Sequence, residues 1–194
     1  MKRLVQGSVL RIPLLKGLGH TYAKYMDLTK ISDQVRMPDI IKVYNMFTAD
    51  KNIDLTTIED SGYLLEPILI AGLRPTLKKG IWENIGTFPP KESELFIPDF
   101  KLGNETYESI ENEKWYLIKD TNRNNKTEVT FDQVRYLQPY AAQGTGNIEM
   151  RLTMYYLLQE GKEISEYFDL NDDGIKWNYL QTKQAEILPS SISN

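Results

Sequence analysis

The chain contains no cysteine. That excludes disulfides, thiolate nucleophiles and cysteine-based zinc sites. Histidine is almost as scarce: His20 is the only one in 194 residues, so any histidine-dependent triad has to be built around that one side chain. No run approaches the roughly 20 apolar residues that cross a bilayer. The opening MKRLVQGSVLRIPLL lacks the continuous apolar core and small-residue cleavage site of a secretory leader. Positive charge is not in excess either: 23 Lys and Arg face 27 Asp and Glu, a net charge of −4, the wrong sign for a typical nucleic-acid binder. The P-loop, the G-x-G-x-x-G fingerprint, H-E-x-x-H and G-x-S-x-G are all missing. The expectation is a soluble cytoplasmic protein that is not an enzyme and has no cofactor, no metal, no nucleic-acid partner and no membrane partner.

What is present is an ordinary globular composition, 41% hydrophobic and 26% charged. The length suits a single domain over residues 1–194, divided into a β-rich part at 1–143 and a helical extension at 144–194. The densest apolar stretch is Leu64 to Gly86, LLEPILIAGLRPTLKKGIWENIG. Its first part, Leu64 to Leu73, reads as a strand buried on both faces. A basic turn at Lys78-Lys79-Gly80 and a Trp82-bearing segment follow.

Around this stretch the chain reads mainly as strands. Leu4 to Leu15 alternates, with Leu10, Ile12 and Leu14 on the apolar face. A glycine-containing turn, Lys16 to Gly19, joins it to His20–Asp27 as a hairpin. Ile40 to Phe47 is a third strand, and Asp54 caps a short helix closed by Gly62. Thr87 to Phe100, with Pro89, Pro90 and Pro98, is irregular and returns through Leu95, Phe96 and Ile97. Trp115–Lys119 and Thr127–Phe131 form a hairpin about the turn DTNRNNK, which Val134 to Leu137 extends. After the breaker Gly144-Thr145-Gly146, Asn147 caps a helix to Glu160 with Ile148, Leu152, Tyr155 and Tyr156 on one face. Gly161 stops it, and a shorter helix covers Glu163 to Phe168.

Few residues point to chemistry. His20, between a turn and a strand, fits a structural role better than a catalytic one. Glu66 interrupts an apolar run, but Pro67 marks a strand start and puts Glu66 at its rim. Asp169 to Gly174, DLNDDG, matches the front half of an EF-hand loop, yet the twelfth position is Leu180 instead of a bidentate Glu. It reads as an acidic turn that ends a helix. The acidic stretch with Glu105, Tyr107, Glu108, Glu111 and Glu113, together with Asp169, Asp172 and Asp173, is the candidate docking surface for a basic partner. Tyr22, Tyr44, Trp82 and Trp115 are candidates for core or for the wall of a pocket.

Several segments, in order, resemble one family. Gly7 to Leu14, GSVLRIPL, resembles the G-x-V/I-F-x-I-P-L opening of the immunity protein 26 family of bacterial polymorphic toxin systems, with Leu10 where that pattern has Phe. His20 to Met26, with Tyr22-Ala23, is similar to its second strand. Glu66 to Leu73 resembles its P-x-x-x-x-G-L segment, and Lys79 to Gly86 its G-x-W-x-x-I-G. Pro98-Asp99-Phe100 resembles the following P-x-F, and Trp115 with Asp120 a later W-x-x-x-D. The series runs over roughly residues 5 to 140, with local variation at Lys51 to Gly62 and Tyr107 to Lys114. Nothing after Gly144 is matched.

The resemblance implies a β-rich protein made beside a toxin, which it binds, and it implies no catalytic residues. The partner is then a cognate toxin domain, of a class that is often basic. The expected fold is α+β, a strongly twisted antiparallel sheet or partly closed barrel with a C-terminal helical cap. A small-molecule or peptide-binding β-barrel module, with Tyr22, Tyr44 and Trp82 lining its pocket, is the alternative. A hydrolase using Glu66 or His20 ranks last.

Overall fold

The computed structural model describes residues 3–103 and 114–184. The fold is α+β and is built on a six-stranded sheet in the order β5-β1-β2-β3-β4-β9. Its strands are β1 (Ser8–Pro13), β2 (His20–Asp27), β3 (Asp39–Thr48), β4 (Ile68–Ala71), β5 (Glu83–Thr87) and β9 (Gln143–Gly144). All neighbours are antiparallel except β4 and β9, which run parallel. The sheet is open, so the partly closed barrel is not formed. A second antiparallel sheet holds β6 (Phe100–Leu102), β7 (Trp115–Ile118) and β8 (Lys126–Val129).

The β1–β2 hairpin lies where the alternation put it, with Leu10 opposite Ala23 and Ile12 opposite Thr21. Gly7 fixes its start. Its φ of +79° lies in the left-handed region, and a Cβ there would sit 1.9 Å from the Phe88 carbonyl oxygen. The close approach is used: Gly7 N–H donates to Tyr25 O, and Phe88 N–H donates to Gly7 O, both at 2.9 Å.

The two faces of the large sheet are covered differently. Leu10, Ile12, Ala23, Tyr25, Ile41 and Val43 share one face and one core with Leu73 and Leu77 of α2 (Leu73–Lys78) and Ile148, Leu152 and Tyr155 of α4 (Thr145–Gln159). Val9, Tyr22 and Tyr44 point the other way and pack with Ile58 of α1 (Leu55–Asp60). The second sheet joins through Phe100 and Ile118, which meet Met26, Ile40 and Leu69. On its far side α4 carries Met154 and Leu157 into a cluster with Ile164 and Phe168, against which α5 (Asp173–Gln184) packs. Buried on two sides, α4 also holds Arg151, whose guanidinium donates to Gln143 Oε1 at 2.8 Å and Gln138 Oε1 at 2.9 Å, tying β9 to the helix.

Four expectations are corrected. Leu64 to Leu73 is not one strand. Leu64 N–H donates to Val43 O at 2.8 Å, but the strand itself is Ile68–Ala71; it ends where Gly72 turns into the left-handed region (φ +74°) and starts α2, where Pro75 falls in the first turn and is tolerated. The span Val134 to Leu137 does not extend the hairpin. A short helix, α3 (Phe131–Val134), intervenes and ends at Val134; it starts where the Thr130 N–H is capped by Gln133 Oε1 at 2.9 Å. The long helix starts at Thr145, ahead of Asn147, and the glycine-rich breaker contributes β9. The acidic run Asp169–Gly174 starts a helix instead of ending one. Asp172 Oδ1 accepts the Ile175 N–H at 3.0 Å and caps α5.

Since α4 completes the core on one sheet face, Leu152→Ala should lower the unfolding free energy by about 3 kcal/mol in urea titration. A chain ending at Gly144 should show no cooperative transition. Retention of a sharp transition by the shortened chain would show that the β-rich part folds without the helices.

Candidate interaction surface

Alternation in β2 and β3 puts two lysines on the face away from α4. Lys24 and Lys42 are direct partners in the β2–β3 register, and they are 0% and 8% exposed. Like charges directly opposite repel, and each buried ammonium carries a desolvation penalty of several kcal/mol. One carboxylate answers both. Glu94, 5% exposed, stands 3.0 Å from Lys24 Nζ and 3.7 Å from Lys42 Nζ. The Tyr63 hydroxyl donates to the same carboxylate, as does the Lys91 N–H at 2.8 Å. Glu59 adds a second layer, 3.6 Å from Lys24 and 3.7 Å from Lys91.

The titration behaviour follows from these contacts. Burial pushes the Glu94 carboxyl up, but the Tyr63 hydroxyl, the Lys91 amide and Lys24 together outweigh it and leave the group below its ordinary 4.5. Burial pulls Lys42 down, with Glu94 opposing and Lys24 reinforcing. Tyr63 is raised, first by burial and then by Tyr44 and Glu94 around it. Its ring stacks on Tyr44 with centroids 5.0 Å apart, and Lys42 Nζ lies 4.5 Å from the Tyr63 centroid, so aromatic faces help hold the cation.

Glu94 closes a single 3₁₀ turn, Glu92–Glu94, within the proline-bearing loop between β5 and β6. The loop is pinned at its start by the Gly7–Phe88 hydrogen bond and beyond Glu94 by buried Pro98 and Phe100. Between the pins, Leu95 and Phe96 are 48% and 46% exposed. The Phe96 centroid is 5.5 Å from Lys42 Nζ. Ile97 turns inward against Met26, Ile40 and Phe100, so the expected apolar return divides into two residues out and one in. Glu66 and Asp99 lie half-buried at the border, both raised chiefly by burial.

The residues singled out from sequence fall elsewhere. Tyr22, Tyr44, Trp82 and Trp115 are all buried in core clusters, and Trp82 Nε1 donates to Glu149 Oε1 at 2.7 Å. A cleft of about 400 Å³ is lined by Met37, Lys101, Tyr140 and Trp177 among others, and by none of those four. Glu105, Tyr107, Glu108, Glu111 and Glu113 lie outside the described residues. Asp169, Asp172 and Asp173 are exposed at the start of α5. Because α5 packs on α4, they stand on the opposite side of the large sheet from Leu95 and Phe96. Asp169 Oδ1 and Asp172 Oδ1 are engaged by local donors, Asn171 and Ile175. Among the described residues no three His, Asp or Glu side chains converge as metal ligands, and no helix is long and apolar enough to cross a membrane.

Nor are His20 and Glu66 brought together. His20 pairs with Thr48 at one end of β3, whereas Glu66 neighbours Lys42 near the other, about 20 Å along a strand. His20 is pulled below its ordinary value by burial and then by Arg11 and Lys51.

The lysine pair and its loop were not foreseen. The signal was there: Lys24 occupies the same alternating face as Tyr22 and Met26, a lysine inside an otherwise apolar row. Its counter-ion is 70 residues away in sequence, and no spacing rule connects the two.

The model of a known family, immunity protein 26, matches residues 5–109 of the chain. The match takes in β1 to β6, the lysine pair and the Leu95–Phe96 loop, and it stops short of Trp115 and Asp120. No curated protein matches the chain, and no solved structure does.

Breaking the buried pair from one side should be costly. Glu94→Gln is expected to lose about 3 kcal/mol by urea unfolding, and Lys24→Met with Glu94→Gln to lose less than the two single changes combined, because the orphaned cation leaves with its partner. Strict additivity would show that the pair is not coupled. The pH dependence has a definite sign. Glu94 titrates below its ordinary value in the fold, so its contribution is complete above about pH 4.5 and is lost as pH falls through the lower folded value. Glu66 and Asp99, raised on folding, act oppositely and soften the fall. The acid-side loss of stability should therefore be steeper in the wild type than in Glu94→Gln. At the α5 cap, Asp172→Ala should cost about 1 kcal/mol, and millimolar calcium should leave the melting temperature unchanged.

Proposed function

We propose, from the premise that the chain belongs to the immunity protein 26 family, that it binds a cognate bacterial toxin domain and neutralises it by occlusion. The observation that carries this reading is the family match, which spans more than half of the chain. The geometry supports it. The described surface offers a rigid loop with two exposed apolar side chains and a border of carboxylates, features that serve protein recognition. Trp82, Tyr22 and Tyr44 are buried in the core, which favours this reading over a small-molecule module with those side chains lining its pocket. The toxin is one of a polymorphic toxin system, and binding takes place in the cytoplasm of the cell that makes both proteins. The 194 residues act as one domain, with α4 and α5 completing the core on the sheet face away from the loop.

Co-expression supplies the test. The toxin domain encoded beside this chain should arrest growth of a host cell alone, growth should recover when this protein is made with it, and the two should elute as one complex. A toxin domain that still arrests growth in cells with ample folded protein, and that elutes separately from it, would contradict the proposal.

A further inference from the structure

We infer that the Leu95–Phe96 step is the anchor by which this protein holds its toxin, and that the toxin surface it fits is an apolar socket bordered by lysine or arginine. This rests on the neutralising function proposed above and names the surface that carries it. Leu95 and Phe96 are consecutive, and both stand close to half exposed. Among the described residues the other exposed large apolar side chains, Val5, Ile81, Tyr136 and Leu158, occur singly along the chain, which is usual for a protein surface.

Two properties set the step apart. First, it is held before any partner arrives. Glu94, its immediate neighbour, is clamped by Lys24, Lys42, Tyr63 and the Lys91 amide, so the side chains are presented with little ordering left to do on association. Aromatic and aliphatic groups displayed on a fixed frame are the usual centres of binding energy.

Second, the surrounding charge is mostly negative. The two lysines beneath the loop are occupied by Glu94. At the border stand Glu59, Glu66, Glu92 and Asp99, with Lys91 beside Glu59 and Lys119 near Asp99 as exposed cations. Lys91 is itself 3.7 Å from Glu59. An apolar step inside a carboxylate border complements an apolar socket inside a basic border, and it disfavours acidic surfaces.

The experiment is a binding titration with the purified toxin domain encoded beside this chain. Wild type is compared with Leu95→Ser/Phe96→Ser and with Leu158→Ser, a control of similar exposure on α4. The double variant should weaken the Kd by about 30-fold or more, while the control stays within about twofold. Glu92→Lys should slow association and flatten its dependence on salt. Melting curves establish that each variant is folded; if the double variant is not, Phe96→Ser alone carries the comparison, with a loss of about 10-fold expected. Wild-type binding that survives both loop variants within about threefold, or that Leu158→Ser weakens equally, overturns the anchor and leaves the neutralising function standing. Failure of the wild type to bind overturns that function and the anchor with it.

Discussion

Lys24 and Lys42 face each other across β2 and β3 with almost no access to solvent. Two desolvated ammonium groups in direct opposition would make this part of the sheet unfavourable by several kcal/mol. The chain resolves the conflict by bringing Glu94 over the pair, backed by the Tyr63 hydroxyl and the second carboxylate Glu59. Much of the loop geometry follows from that need. Glu94 must reach the sheet, so the loop turns tightly through Glu92–Glu94, and Leu95 and Phe96 stay exposed before Ile97 packs against the core beside Met26 and Ile40.

An apolar core at the same place would have been at least as stable, since well-packed replacements for buried ion pairs are often neutral or stabilising. What the charged arrangement contributes is a single position for the loop. A hydrophobic contact is non-directional and tolerates sliding. A carboxylate that receives Tyr63, Lys91 N–H and two ammonium groups does not slide. The result is a surface whose exposed apolar step is fixed by electrostatics beneath it, while α4 and α5 complete the fold from the opposite face of the sheet.

Much of the β architecture was legible in the sequence because it is local. The β1–β2 hairpin, β3 and the β7–β8 hairpin follow from alternation and turn chemistry, and β2 spans His20–Asp27 as expected. Legibility failed where two local signals competed. Leu64 to Leu73 looks like one apolar run, and the left-handed backbone at Gly72 ends the strand and starts the helix. At Thr130 the capping pattern with Gln133 was readable, but the β-branched and aromatic content of the preceding strand masked it. At Asp172 the acidic cluster fitted a helix end as well as a helix start. The candidate surface was illegible for a different reason. Lys24, Lys42, Tyr63 and Glu94 come from four separate segments, and only the register of β2 on β3 and the path of the loop make them neighbours.

The clamped loop is the surface proposed to meet a toxin domain. Hydrogen exchange measured with and without the toxin domain tests it most directly. The Glu94 and Leu95 amides already donate within the 3₁₀ turn, to Lys91 O at 2.9 Å and Glu92 O at 3.1 Å. Binding should slow exchange across residues 91–97 further and leave the amides of α5 unchanged. Slowing confined to α5 and the acidic residues at its start, with the loop unaffected, would contradict it.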